Sequence, residues 1–377
     1  MTCATSDLFD INGKSKLSNE CVAERESIIA HHAKNPKAAF YFSHSAGKDS
    51  AAAYEIVKAI VPAKQLFVIH ATLGAVEHQG VISYIEDNID QELFVVNNPK
   101  KDFIDMVLLR TMFPSPKFRE CTSTLKTGPI FKFIRAHMKN NNFNVGFNIS
   151  GLRSEESTMR AKKNPLWLNK ELSKAGRTVF DWMPAFHLTT SEVFETIAKA
   201  GKIPHHAYGD YYDNEQRKNQ RLSCVFCIMG SLNDLILGAI NYPQHYVEMI
   251  ALERVTGHTM FGRSKVVHTD RKMKKGDLLG AGKVISSEEN TSKRAIMAYK
   301  NKTFIPVPLN EKTGVPFDEI AVKREIIRLE ARQKTLREMV AFDKAEAAAK
   351  KAAKAKRIGS KSKKRDDSTM DWVESAA

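Results

Sequence analysis

The sequence predicts an α/β protein built on a doubly wound, mostly parallel sheet with a helical C-terminal extension. Three observations predict it. Short apolar runs at 38–42, 66–70, 93–96 and 145–149 have the length and continuity of strands buried on both faces. Helical patterns at 50–60, 76–88, 101–110 and 127–139 separate them, and this alternation is that of successive βαβ units. Beyond residue 318 the pattern changes to one long, charged helical stretch.

Taken in order, residues 1–35 form a leading arm with a helix over 21–33, and residues 36–256 form the α/β domain. A further apolar run follows at 181–183. A helix from Thr190 to Ala200 is marked by a capping-box pair, Thr189 and Glu192, and stopped by Gly201. Apolar spacing through 232–252 fits one or two helices interrupted at Pro243. Residues 257–317 read as an irregular basic segment. Residues 318–377 read as a charged helix to about Lys356 and then a disordered basic tail.

The chain has 377 residues and a formal net charge of +15. Residues 344–365 hold ten Lys/Arg against Glu346 alone, so the tail supplies nine of those charges. Such a tail implies a polyanionic partner, DNA or RNA. No run of about 18 apolar residues occurs, so no membrane span is expected. The first residues lack the basic-then-apolar order of a signal peptide, and cytoplasmic residence is the expectation. Five cysteines (3, 21, 121, 224 and 227) are odd in number and unevenly spread. They fit thiols or metal ligands better than a disulfide framework.

Ser43-His-Ser-Ala-Gly-Lys-Asp-Ser50 joins the first strand to the next helix. Small residues at a helix start let backbone N–H groups approach a polyanion, and the helix end adds partial positive charge. Ser43, Ser45, Ala46, Gly47, Lys48, Asp49 and Ser50 therefore read as a pyrophosphate cradle. The Gly-x4-Gly-Lys-[Ser/Thr] spacing of the Walker loop is absent. Cys121 stands two residues after Arg119 near a helix start, which predicts a lowered thiolate pKa. Gly151-Leu-Arg-Ser-Glu-Glu-Ser157 places Arg153 at the sheet's carboxyl edge, with Arg160 one to two turns on. Two guanidinium forks there suit phosphate or sulfate, with Glu155 and Glu156 as holders of those arginines or of Mg²⁺. Cys224-x2-Cys227 is half of a zinc or iron–sulfur site, or a reducible dithiol. Cys121 could complete a three-thiolate set, with His205, His206 or a non-protein ligand in fourth place.

Together these segments resemble the phosphoadenosine phosphosulfate (PAPS) reductase family of the PP-loop ATP pyrophosphatases, a Rossmann-like fold. The resemblance runs over about 38–231 and is strongest to phage- and bacteria-encoded members. It rests on Ser45–Ser50, Cys121-Thr-x2-Leu-Lys-x2-Pro129, Gly151-Leu-Arg-x-Glu-Glu-Ser-x2-Arg160, Trp182-x-Pro184, and Tyr208 with Arg221-x-Ser-Cys-x2-Cys227. It implies an adenine nucleotide ligand, ATP or adenylyl sulfate/PAPS, with Mg²⁺ held first by Asp49. It also implies nucleotide contacts from Thr72, Gly74, Gly151, Arg153 and Arg160. The family's C-terminal Glu-Cys-Gly-[Ile/Leu]-His segment is missing, and Ala71-Thr72-Leu73-Gly74 replaces its usual Asp-Thr-Gly. The three-cysteine pattern is similar to sulfur-inserting relatives, including DNA phosphorothioation enzymes and tRNA thiolation enzymes that carry a [4Fe–4S] cluster.

Three functions follow as expectations. The first is an adenylating sulfurtransferase in which Lys48 and Arg153 neutralise phosphate charge while Cys224, Cys227 or a cluster (or Zn²⁺) they hold passes sulfur from a donor. The second is a PAPS or adenylylsulfate reductase drawing electrons from a thioredoxin-like partner. The third is a non-catalytic, nucleotide-sensing DNA-binding protein.

Overall fold

The computed structural model describes residues 19–209, 218–257, 260 and 319–370. Six strands form one sheet: β1 (Ala38–Ser43), β2 (Leu66–Ala71), β3 (Leu93–Val96), β4 (Val145–Ser150), β5 (Leu166–Leu168) and β6 (Thr178–Trp182), in the order β3-β2-β1-β4-β6-β5. Every pairing is parallel except that of β5 with β6. The order reverses between β1 and β4, so the loops after these two strands share the crevice at the switch point. Ligands bind there in open α/β sheets.

Alternation along β1 explains the two faces. Phe40 and Phe42 pack with Ala53, Tyr54 and Val57 of α2 (Lys48–Ile60), and Ile29 of α1 (Asn19–Ala33) joins them. Ala39 and Tyr41 face the other way, onto Phe131, Ile134 and Met138 of α5 (Gly128–Asn140). A sheet covered on both faces needs the continuous apolar runs seen in the sequence. Between β2 and α5 lie α3 (Val81–Asn88), shorter than expected because a 3₁₀ turn takes residues 74–76, and α4 (Phe103–Arg110). A short α6 (Thr158–Ala161) follows β4. Then α7 (Thr190–Lys199) starts at the anticipated box, in which the Thr189 hydroxyl accepts from Glu192 N and the Glu192 carboxylate accepts from Thr189 N.

The apolar spacing after residue 231 resolves into two helices, α8 (Leu232–Asn241) and α9 (Pro243–Thr256), with the proline in the first turn of the second. A proline is tolerated there because its missing N–H would have no partner anyway. The last helix, α10 (Glu319–Met370), runs through the stretch read from the sequence as a disordered tail. Alanine and lysine both favour helix, which accounts for the continuation. Val322, Leu329 and Leu336, seven residues apart, bury one stripe of α10 against Met106 of α4 and Ile250 and Leu252 of α9. Arg332 fixes the register by bonding Asp102 (2.6 Å) and Asp105 (2.8 Å) at the start of α4. No helix among the described residues is long and apolar enough to cross a membrane. The irregular basic segment inferred at 257–317 lies outside the described residues, apart from Gly257 and Met260.

Candidate active site

A cavity of about 380 Å³ opens at the switch point. Ser43, Ser45, Gly47, Asp49 and Ser50 line one wall and Gly151 and Arg160 another, while Cys121, Cys224 and Cys227 close the far end. The sequence-derived phosphate loop and all three candidate thiols thus meet in one space.

The loop is organised by Ser50. Its hydroxyl donates to Gly47 O (2.8 Å), accepts from Ser45 N (3.2 Å) and lies 3.1 Å from the Ser45 hydroxyl. The amides of Gly47, Asp49 and Ser50 have no acceptor among the described residues. Unpartnered N–H groups at a helix start are what an anion takes up, so the loop fits a nucleotide's phosphates. Lys48 N is spoken for, donating to the Tyr208 hydroxyl (3.1 Å).

Ala46 holds the tight bend with φ of 58°, in the left-handed region, although fully buried. Alanine tolerates this at a cost of about 1 kcal/mol, and a β-branched residue does so far less well. Ala46→Val is expected to lower unfolding free energy by about 2 kcal/mol, with Ala46→Gly changing it by less than about 1 kcal/mol. Urea denaturation of the three proteins checks the ranking.

His44 supports the same bend: its Nδ1 accepts from Ala46 N (3.1 Å), and its carbonyl accepts from His70 Nδ1 (2.9 Å). Burial, reinforced by His70, holds the His44 pKa down to about 3. Burial likewise holds His78 and His205 at about 4. A folded value below the unfolded one means that the unfolded chain binds more protons in acid, so stability falls as pH drops below about 6.5. For His44 alone the loss at pH 5.5 is about 1.4 kcal/mol. Denaturation midpoints measured between pH 7.5 and 5.5 are expected to fall steadily, and His44→Asn is expected to flatten that slope.

Two of the three cations that the sequence reading gave to the phosphates, Arg153 and Lys48, lie outside the cavity. Arg153 is 3% exposed and does not line the cavity. Its guanidinium donates to Asp49 Oδ1 (2.5 Å), Glu155 Oε2 (2.6 Å), Leu188 O (3.0 Å) and Thr190 Oγ1 (3.1 Å). Buried, with four of its five N–H groups committed, it is a clamp between the two switch-point loops rather than a phosphate ligand. Lys48 is also buried outside the cavity, its Nζ bonded to Asp49 Oδ2 (3.1 Å) and lying 5.7 Å from the Tyr208 ring centroid. Lys48 and Arg153 each bond one oxygen of Asp49, so a Mg²⁺ ion there would compete with two cations already in place.

Arg160, the third of the cations given to the phosphates, lines the cavity together with Arg119, Lys126 and Arg221. Glu156 aims two of them: one oxygen accepts from Arg221 (3.0 Å), and the other pairs with Arg160 and accepts from Arg153 N (3.1 Å). Burial pushes the Glu156 carboxyl up, but the Arg153 amide and the Arg160 and Arg221 charges outweigh it and hold the pKa below the usual range. The sequence offered a signal for Lys126 and Arg221, since each sits within five residues of a cavity cysteine. It offered none for which arginine of the 153–160 stretch turns inward.

Cys121 also departs from expectation. The Cys121 pKa is raised, not lowered, by burial and by the neighbouring Cys227, and burial pushes Cys224 up to about 12. Lys126 works against both shifts without cancelling them. Cys121 opens a π-helical turn, Cys121–Thr127, that runs straight into α5, so the α5 start lies seven residues beyond the thiol. Val225 and Phe226, between the other two cysteines, are packed in the cluster that α10 completes, and Cys224 pairs with Glu77 in an antiparallel bridge.

His205 and His206 do not line the cavity. Both nitrogens of His205 are committed to the backbone, to Gln79 O (3.1 Å) and Ala207 N (3.2 Å), which removes it as a metal ligand. Among the described residues no group of three or more His, Cys, Asp or Glu is disposed to hold a metal ion. The three thiols share a cavity without forming a cluster or zinc cage as they stand. Thr72 and Gly74 are likewise outside the cavity: the Thr72 hydroxyl donates to Glu77 (2.8 Å) and accepts from Gly74 N (3.0 Å), building a turn.

Residues 39–214 match the family model for the phosphoadenosine phosphosulfate reductase domain. The match supports the PP-loop superfamily for a segment holding the 45–50 loop, Cys121 and the 151–160 stretch. Cys224 and Cys227 lie beyond it. No curated protein matches the chain. Among solved structures, the phosphate complex of phosphoadenylyl-sulfate reductase from Candida auris is similar at 10% identity, over 53% of this chain and 96% of that one, with a TM-score of 0.32. Candida glabrata FMN adenylyltransferase with FAD and inorganic pyrophosphate is similar at 11% identity, over 54% and 67%, with a TM-score of 0.27.

Proposed function

We propose that the protein binds ATP or an adenylyl nucleotide with its phosphates against the 45–50 loop, adenylates an acceptor, and delivers sulfur to it through the cavity thiols. One observation carries the reading: Gly47, Asp49 and Ser50, whose amides have no acceptor among the described residues, line the same cavity as Cys121, Cys224 and Cys227. An acceptor oxygen forms a bond to the α-phosphorus as the bond to pyrophosphate breaks. Arg160, Arg221 and the loop amides stabilise the charge that passes to the leaving group, at about 10²–10³-fold per well-placed donor. A sulfane sulfur, carried as a persulfide on one cavity cysteine by a sulfur-donor protein, then attacks the acceptor and AMP leaves. A second cavity thiol attacks the carrier cysteine, freeing the new acceptor thiol and leaving a disulfide that a thioredoxin-like dithiol reduces. Lys126 favours the thiolates this requires, against their burial.

Mg²⁺ would arrive with the nucleotide's phosphates, since two cations already hold Asp49. The basic stretch 344–365 would retain a nucleic-acid acceptor, with binding that weakens as salt rises. Isotope exchange between ATP and pyrophosphate tests the reading: exchange stimulated by an acceptor nucleic acid is expected, without sulfite from PAPS and reduced thioredoxin. Sulfite release without ATP turnover would replace it with the reductase reading. Nucleotide uptake with neither reaction would replace it with a sensor.

A further inference from the structure

Two large apolar side chains stand in water next in sequence to cavity-lining arginines, among exposed cations. Phe118 and Met159 are each 73% exposed, and each immediately precedes a cavity arginine, Arg119 and Arg160. Lys117, Arg119, Lys162 and Lys163 are exposed beside them, and among the described residues none has a carboxylate within salt-bridge distance. The local carboxylates are already used: Glu120 by Lys101 and Arg110, Glu155 by Arg153, and Glu156 by Arg160 and Arg221. Lys163 lies over the ring of half-buried Trp167, 5.9 Å from its centroid. An uncompensated positive surface bearing an exposed ring at Phe118 has the chemistry of a track for single-stranded nucleic acid, with phosphates on the cations and a base stacked on the ring.

Depth points the same way. The thiols stand inside a cavity of about 380 Å³, which a paired base cannot enter without leaving its duplex. Resting on the reading that sulfur chemistry occurs in this cavity, we propose that the rim around Phe118, Met159, Lys162 and Lys163 docks a single-stranded polynucleotide and presents one unpaired nucleotide to the thiols. This surface is separate from the basic stretch at 344–365.

The test uses the full-length chain and a fluorescent thymidine oligonucleotide of about 20 nucleotides, with binding followed by anisotropy across a salt series. Phe118→Ala is expected to weaken binding about tenfold, as loss of one stacked base would. The double variant Lys162→Gln/Lys163→Gln is expected to lower the slope of log affinity against log salt by about 1 to 1.5. A duplex of the same length should bind more weakly than the single strand and respond less to Phe118→Ala. Wild-type affinity and slope in both variants would overturn the proposal, assigning any binding to the tail alone; equal losses on duplex and single strand would overturn its single-strand claim. ATP titration calorimetry on the same proteins separates the two readings. Normal ATP uptake with unchanged oligonucleotide binding sinks only the docking surface, whereas absent ATP uptake by the wild type sinks the function proposed above.

Discussion

Replacing Gly151 by alanine is expected to abolish nucleotide uptake, weakening it more than about 100-fold, and to destabilise the fold by about 4 kcal/mol. A Cβ at this position would stand 2.7 Å from both Asp49 O and Ser50 N, in contact with backbone that has no side-chain freedom to give way. The residue sits where the β4 loop crosses the start of α2, so relief can come only from separating the two switch-point loops. That separation would move the Gly47, Asp49 and Ser50 amides and stretch the Arg153–Asp49 pair. The requirement is steric rather than conformational, because Gly151 has no left-handed φ. Calorimetric ATP titration and urea denaturation of Gly151→Ala read the two effects; a variant with normal affinity would show that the close approach is unimportant.

Removing the Arg153 side chain is expected to cost about 3 kcal/mol of stability, since its loss strands the partly buried Asp49 beside Lys48 and frees the Thr190 and Leu188 acceptors. Arg160→Ala and Arg221→Ala are expected to behave oppositely. Each should change stability by less than about 1 kcal/mol and weaken nucleotide binding about tenfold or more, as loss of a charge-assisted hydrogen bond does. Denaturation midpoints measured alongside calorimetric affinities distinguish the clamp from the ligands. If Arg153→Ala folded as well as the parent and lost only binding, its assignment as a clamp would be wrong.

The contrast between these arginines shows where sequence legibility stopped. Strands β1 to β4 were legible because burial on both faces demands unbroken apolar runs, and the α7 start because Thr189 and Glu192 satisfy each other locally. The 45–50 loop was legible for the same reason: small residues at a strand-to-helix junction are a local pattern. The three-residue β5 carries too few side chains to show a period, so the antiparallel edge went unseen. Arg153 and Arg160 have the same chemistry seven residues apart. Which one is buried depends on Asp49, Leu188 and Thr190, all at least 35 residues away in sequence. The Cys121 pKa shift was misjudged because proximity to Arg119 in sequence says nothing about burial, and burial outweighs the opposing charge of Lys126.

The account rests on phosphate loop and thiols sharing one space, and thiol footprinting tests that sharing most directly. The protein is treated with iodoacetamide with and without saturating ATP or adenylyl sulfate, and alkylation at Cys121, Cys224 and Cys227 is followed by mass spectrometry. Bound nucleotide is predicted to slow alkylation of these cysteines at least several-fold in wild type and to have no effect in Gly151→Ala. Nucleotide that binds, by calorimetry, yet leaves all three alkylation rates unchanged would contradict it.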